Sequence, residues 1–198
     1  MLILASNSAA RKALLSGAGL HFESSPAPID ERAEEASVLG KGPAVVARHL
    51  AEAKALAVSR LKPQDTVIGA DQTLSLEGEI FHKPVSIETA RQQLGRLRNR
   101  THRLSCGVAL ARGGGIVWSH MAEADLTMRD FTDAERDAIL QTEGLAALAS
   151  VGAYRLEGPS VQLFARIEGD YFAVMGLSLV RLVELMTQLG VRYDFARY

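Results

Sequence analysis

An acid at the end of an apolar strand and a lysine just past a tight hairpin are the residues in this chain best placed for phosphate chemistry. Thr66-Val67-Ile68 runs into Gly69-Ala70-Asp71-Gln72, and Thr73 to Ile80, turning at Glu77-Gly78, reads as a hairpin that returns Lys83-Pro84 to the same sheet end. A strand-end acid can simply cap a turn. Here the apolar flank makes an incidental solvated acid a poor account of Asp71, and Gly69 and Ala70 permit close approach of a ligand. Pro84 holds Lys83 extended.

Ser6-Asn7-Ser8-Ala9-Ala10-Arg11-Lys12 is the second candidate, with hydroxyls and free amides at a helix start and two cations in the first turn. Cations there oppose the helix dipole unless an anion lies between them. A capped surface helix and an anion site fit this spacing equally well. Lys54 stands one turn after Leu50 beside the apolar stripe of a long helix, where a lysine can serve a ligand or simply snorkel to solvent. Asp30 and Glu31 lie in an acid-rich segment that a solvated loop would also explain.

Other chemistries find little support. The basic run Arg96 to Arg103 lacks interleaved aromatics and reads as a solvated helix end and turn, not a nucleic-acid surface. The histidines show no ligand spacing, there is no Gly-x-Ser-x-Gly elbow, and Gly113-Gly114-Gly115 lacks the strand and helix context of a dinucleotide loop or P-loop.

The elements that must carry these residues alternate along the chain. Leu2 to Ala5 reads as a strand, followed by a helix capped by Ser8 and ending at Gly17 or Gly19. Ser24 to Ala36 reads as a loop, Pro43 to about Leu61 as a helix, and Ser86 to Leu97 as another. Leu104 to Ala111 and Ile116 to Leu126 form a hairpin; Asp133 to Gln141 is helical, Val161 to Ile167 a strand, and Leu177 to Leu189 a closing helix. The sum is a mixed α/β protein. At 198 residues it can build one substantial core or two small lobes.

With 22 Lys+Arg against 23 Asp+Glu, no global field draws in nucleic acid or an acidic membrane. The single cysteine, Cys106, excludes an intrachain disulfide and suits a reducing cytoplasm. The apolar start Met1 to Ala5 reads as a strand and not a signal peptide, and Gly176 to Leu189, broken by Arg181 and Glu184, is too short to span a bilayer.

Taken in order, Leu2-Ile3-Leu4-Ala5-Ser6-x-Ser8, Asp30-Glu31, Lys54, Gly69-Ala70-Asp71, Gly78-Glu79-Ile80 with Lys83-Pro84, Arg100-Thr101-His102, Gly107 to Leu110, Gly152-Ala153-Tyr154 and Glu168-Gly169-Asp170-Tyr171 with Gly176-Leu177 resemble the Maf family of nucleoside triphosphate pyrophosphatases. The resemblance runs nearly end to end. It implies a single domain over residues 1–198, with a twisted mixed sheet, flanking helices and two lobes around a central cleft, similar to the inosine triphosphate pyrophosphatases. It further implies a homodimer in many members, a divalent metal (Mg2+ or Mn2+), and hydrolysis of a nucleoside triphosphate to a monophosphate and pyrophosphate. By position, Asp71 matches the family's proposed catalytic base, Ser8, Arg11, Lys54 and Lys83 its phosphate-handling residues, and Glu31 its second acid, which with Asp71 would hold the metal. A nucleotide-binding regulator of septum formation is the competing class. The joint presence of Asp71, Lys54 and Lys83 favours an enzyme.

Within the resemblance, the branch acting on dTTP and UTP has Arg, Thr and Gln where this chain has Ala10, Gln72 and Glu157, and the 7-methyl-GTP branch has Trp, Gln and Glu. Gln72 and Glu157 therefore point to 7-methyl-GTP. A carboxylate at 157 can accept from both N1–H and the 2-amino group of guanine, and N7 methylation makes the base cationic and strengthens that pair. Ala10 departs from the pattern, since alanine offers no face on which a cationic base can stack. Ala9 and Ser178 stand where the family usually has proline and read as structural variations.

Overall fold

Short, wholly apolar strands such as Leu2-Ile3-Leu4 can be buried on both faces only inside a covered sheet, and this is where β1 (Leu2–Leu4) lies. A computed structural model of the chain describes residues 1–190; residues 191–198, the end of the expected single domain, lie outside the described residues. β1 pairs in parallel with β2 (Glu23–Ser24) and with β3 (Thr66–Leu76), in register Leu2↔Thr66 to Leu4↔Ile68. β3 pairs antiparallel with β4 (Glu79–Phe81). With β5 (Thr101–Arg112), β6 (Gly115–Met128) and β7 (Phe164–Gly169) the strands form one open, mixed sheet in the order β2-β1-β3-β5-β6-β7, with β4 on β3. The helices are α1 (Ala9–Gly17), α2 (Glu31–Val38), α3 (Pro43–Leu61), α4 (Ile87–Leu97), α5 (Asp133–Glu143), α6 (Tyr171–Val174) and α7 (Leu179–Gln188). Among the described residues no helix is long and apolar enough to cross a membrane.

The chain divides into two units, the first formed by Met1–Gln72, Ser105–Ala122 and the segment from Asp170 onward, the second by Thr73–Leu104 and Glu123–Gly169. In the first, Leu4, Leu15, Ile68, Val108, Leu110, Leu177 and Leu182 share one buried cluster. Each such side chain removed from water contributes roughly 1.5–3 kcal/mol. On α3, Ala51 and Ala55 pack against Ala109 and Ala111. A side chain on Gly69 would collide with the Ala51 carbonyl and Ala55, and one on Gly107 would lie 2.5 Å from the Ala47 oxygen. The backbone of α3 therefore rests directly on β3 and β5, a seam that only small residues allow.

In the second unit α4 packs on α5 and on the 3-10 turns Gly144–Ala149 and Val151–Ala153. α5 begins with a reciprocal cap in which the Thr132 hydroxyl accepts from Glu135 N while the Glu135 carboxylate accepts from Thr132 N. Tyr154 and Phe164 meet edge to face beside His102.

The structure differs from the sequence expectations in four places. The loop expected over Ser24 to Ala36 contains β2 and the start of α2: Asp30 caps that helix by accepting from Arg32 N and Ala33 N, and Glu31 and Glu34 fill its first turn, where acids complement the helix dipole. β3 runs unbroken through Asp71 to Leu76 instead of ending there. Pro159–Leu163 is a 3-10 turn, so the strand expected from Val161 starts at Phe164. The closing helix is preceded by the separate single turn α6, capped by Asp170.

Candidate active site

Strand alternation and the α3 seam together dictate the central contact. Gly69 and Asp71 are two residues apart on β3 and so face the same side, the side on which Gly69 meets Ala51 of α3. Lys54 lies one turn further along α3, on the buried stripe with Leu50, Ala51 and Val58. Its Nζ donates to Asp71 Oδ1 at 2.6 Å and lies 2.9 Å from Glu31 Oε2. The lysine does not snorkel: its side chain is 8% exposed, against 12% for Asp71 and 59% for Glu31. Glu31 reaches the ammonium because it opens α2, the helix that the loop expectation missed.

One ammonium thus serves two carboxylates, and the cluster carries net negative charge. Burying such charges is costly unless they are paired and hydrogen-bonded. The Lys54–Asp71 contact meets that condition, while the exposed Glu31 contact is worth at most about 1 kcal/mol. Lys54 occupies one oxygen of each acid, so a divalent ion could take the second oxygens of Asp71 and Glu31. Among the described residues no three His, Cys, Asp or Glu side chains form a metal cage. That donor set fits an ion of the magnesium kind, which keeps several waters and completes its shell with substrate phosphate oxygens on one or two carboxylates.

At the start of α1, the Ser8 hydroxyl caps the helix by accepting from Arg11 N at 3.4 Å. Arg11 is held by Nε donating to Gly176 O at 2.7 Å and Nη1 donating to Ser6 Oγ at 3.2 Å. Its unfavourable position at a helix N-terminus is thereby offset by a carbonyl and a hydroxyl. Gln72, one residue past Asp71, spends both N–H bonds of its amide on the carbonyls of Ala173 (2.7 Å) and Val174 (3.1 Å), leaving its oxygen as the group a ligand could meet. Ala10 is half-buried in the first turn of α1.

Asp170 enters the sequence reading only as part of the family pattern, and the structure gives it a role as a cap. Asp170 accepts from Phe172 N and from the Ser178 hydroxyl at 2.8 Å, so Ser178 ties the start of α7 to the cap of α6. The Asp170-Tyr171-Phe172 pattern of an N-cap before an apolar turn was the available signal. Burial pushes the Cys106 thiol up to about 12, so it is protonated at neutral pH and is no nucleophile.

Lys83 and Glu157 belong to the second unit. Lys83 is exposed two residues beyond β4. Glu157 Oε1 accepts from Arg155 Nε at 3.3 Å, and the other side of that guanidinium meets the buried Glu143. His102 Nε2 and Tyr154 Oη are 2.8 Å apart; burial lowers the His102 pKa to about 4 and raises that of Tyr154, so both are neutral at pH 7. The arginines of the basic run face acids: Arg96 on Glu79, Arg98 on Asp133, Arg100 on Glu77 and Arg103 on Asp125.

Known proteins are similar to this chain over most of its length. A family model described as "Maf-like protein" matches residues 1–189. The "7-methyl-GTP pyrophosphatase" of Brucella abortus biovar 1 (strain 9-941) is 50% identical over 184 residues, 92% of each chain. The protein of that name from Rhizobium etli (strain ATCC 51251 / DSM 11541 / JCM 21823 / NBRC 15573 / CFN 42) is 48% identical over 191 residues, 96% of each. A "Nucleoside triphosphate pyrophosphatase" of Gluconobacter oxydans (strain 621H) is 47% identical over 193 residues, 96% of this chain and 95% of the relative. With a family match covering almost every residue, and relatives about half identical over nearly their whole length, this chain belongs to the Maf family.

Proposed function

We propose that the chain hydrolyses a nucleoside triphosphate, with 7-methyl-GTP preferred, to the monophosphate and pyrophosphate. The observation that carries this reading is the buried Lys54 ammonium set between Asp71 and Glu31, in a chain half identical to proteins named 7-methyl-GTP pyrophosphatase. Asp71 accepts a proton from the water that attacks the α-phosphorus. A positioned base of this kind contributes roughly two to four orders of magnitude in rate. Lys54, hydrogen-bonded to Asp71, keeps that carboxylate oriented and adds positive charge for the phosphates. By the family resemblance, Ser8, Arg11 and Lys83 supply further donors to the triphosphate. When bound at Asp71 and Glu31, a magnesium or manganese ion supplies additional neutralisation of phosphate charge.

For the base, Glu157 accepts from the Watson–Crick edge of guanine, and Gln72 presents its amide oxygen, since its donors are committed to Ala173 and Val174. Ala10 contributes no stacking face. We further propose a cytoplasmic, homodimeric enzyme with small-molecule nucleotides as its ligands; the lone buried Cys106 supports the reducing location.

The test is pyrophosphate release across a panel of canonical and modified nucleoside triphosphates, with and without magnesium or manganese. Pyrophosphate and the matching monophosphate are the expected initial products, with 7-methyl-GTP the best substrate and loss of turnover on chelation. Orthophosphate and a diphosphate as first products would place cleavage at the other bond. Preference for dTTP, UTP or CTP would move the chain to the pyrimidine branch, and binding without turnover would favour the regulator.

A further inference from the structure

Glu143 is the last residue of α5, and its side chain is only 2% exposed. A carboxylate this deep needs donors on its oxygens. Oε1 accepts from the Ser160 hydroxyl at 2.9 Å and from Ser160 N at 3.3 Å, and Oε2 accepts from Arg155 Nη1 at 3.4 Å. Arg155 in turn donates through Nε to Glu157 Oε1. The guanidinium is therefore shared between a buried acid behind it and an exposed acid in front. Gly158 belongs to the same arrangement, because a side chain there would come within 2.5 Å of Glu143 Oε1. Tyr154, three residues before Glu157, is anchored on His102, so the segment carrying Glu157 is tied at both ends to buried groups.

We propose that Glu143 is a positioning residue for Glu157 and hence for base selectivity, an inference that rests on the reading of Glu157 as the group that recognises guanine. An arginine paired only with a surface acid samples many rotamers and fixes little. Here the buried end holds the guanidinium in place before any ligand arrives, and Glu157 meets the ligand with its orientation already set. Its Oε1 keeps a second lone pair and Oε2 is not used by Arg155, so both oxygens can meet the donors of one guanine edge.

The experiment uses Glu143→Gln, which keeps an oxygen for Ser160 but turns a donor toward Arg155, and Arg155→Met, which removes the bridge and leaves the Glu143–Ser160 bonds in place. Both should raise KM for 7-methyl-GTP about three- to tenfold with kcat little changed, while kcat/KM for UTP stays level; neither should add to the effect of Glu157→Gln in the double variant. Should Glu143→Gln fail to fold in a melting curve, Arg155→Met alone decides. If Glu157→Gln shifts the base preference and these variants do not, or if they weaken every triphosphate equally, Glu143 is structural and the proposal falls. If Glu157→Gln leaves the preference unchanged, the guanine reading itself is wrong and takes this proposal with it.

Discussion

Each unit of the molecule buries a pair of titratable side chains in hydrogen-bond contact, and the two pairs are built on opposite plans. In the second unit His102 and Tyr154 are both neutral, because removal from water suppresses the charged form of each. They share a single hydrogen bond, which leaves His102 Nδ1 buried without a partner, and they order the segment that follows. In the first unit Lys54 and Asp71 form an ion pair, and Glu31 brings a second acid to the same ammonium. A fold in need only of order gains it more cheaply from the neutral plan. The unequal numbers, one buried ammonium to two carboxylates, make the Lys54 cluster a functional candidate in a way that a neutral pair is not.

The strongest way to break this contrast is Asp71→Asn. Asparagine can still accept from Lys54 through its side-chain oxygen, so the melting curve should stay close to the parent while turnover drops by roughly two to four orders of magnitude. Near-parental turnover with unchanged metal dependence would remove Asp71 from the role of base.

The neutral pair makes its own prediction, in stability. The pKa of His102 is about 4 when folded and near 6.5 when unfolded, so the unfolded chain binds the extra proton between these values. Its contribution is fully present above pH 6.5 and is lost as pH falls toward 4, a loss on the order of 3 kcal/mol. Urea unfolding at pH 7 and pH 4.5 should show the loss in the parent and a much flatter dependence in His102→Gln, which can bond Tyr154 but cannot titrate. Equal slopes in the two proteins would show that His102 is not the group responsible.

Glu31→Gln sharpens the comparison at its smallest scale. With its side chain 59% exposed, Glu31 should contribute less than about 1 kcal/mol to unfolding free energy. The same change should raise the magnesium concentration needed for half-maximal turnover several-fold if Glu31 is a metal ligand. A magnesium requirement that does not move would confine Glu31 to its ion pair with Lys54.

Much of this arrangement was legible from residue types, and the failures have a physical pattern. The α3 stripe, the Ser8 cap and the hairpin over the glycine triplet each follow from one local rule, and each formed where that rule puts it. Lys54 was ambiguous because the same helical position serves a snorkelling lysine and a buried one; the decision came from Gly69, whose missing side chain brings α3 against β3. The α2 helix was missed because its acids were read as solvation, when Asp30 at the cap and Glu31 and Glu34 in the first turn are also a helix start. Gln72 stands in the sequence as a position that sorts substrate branches, and nothing local could reveal that its donors bond carbonyls a hundred residues away. Glu143 carried no motif at all, because its significance lies in Ser160 and Arg155, which the chain brings to it only by folding.

The seam of α3 on β3 and β5 also bears on how such a protein can change. A methyl group on Gly69 or Gly107 would meet the α3 backbone at Ala51, Ala55 or Ala47, so neither glycine can change without moving that helix. Lys54 lies on it, and its reach to Asp71 is fixed by the backbone spacing the two glycines impose. Glu31, exposed in the first turn of α2, and Ala10, half-buried in the first turn of α1, are bound by no such spacing. Substitution is therefore open at those two positions and closed at the glycines that set where the Lys54 ammonium lies.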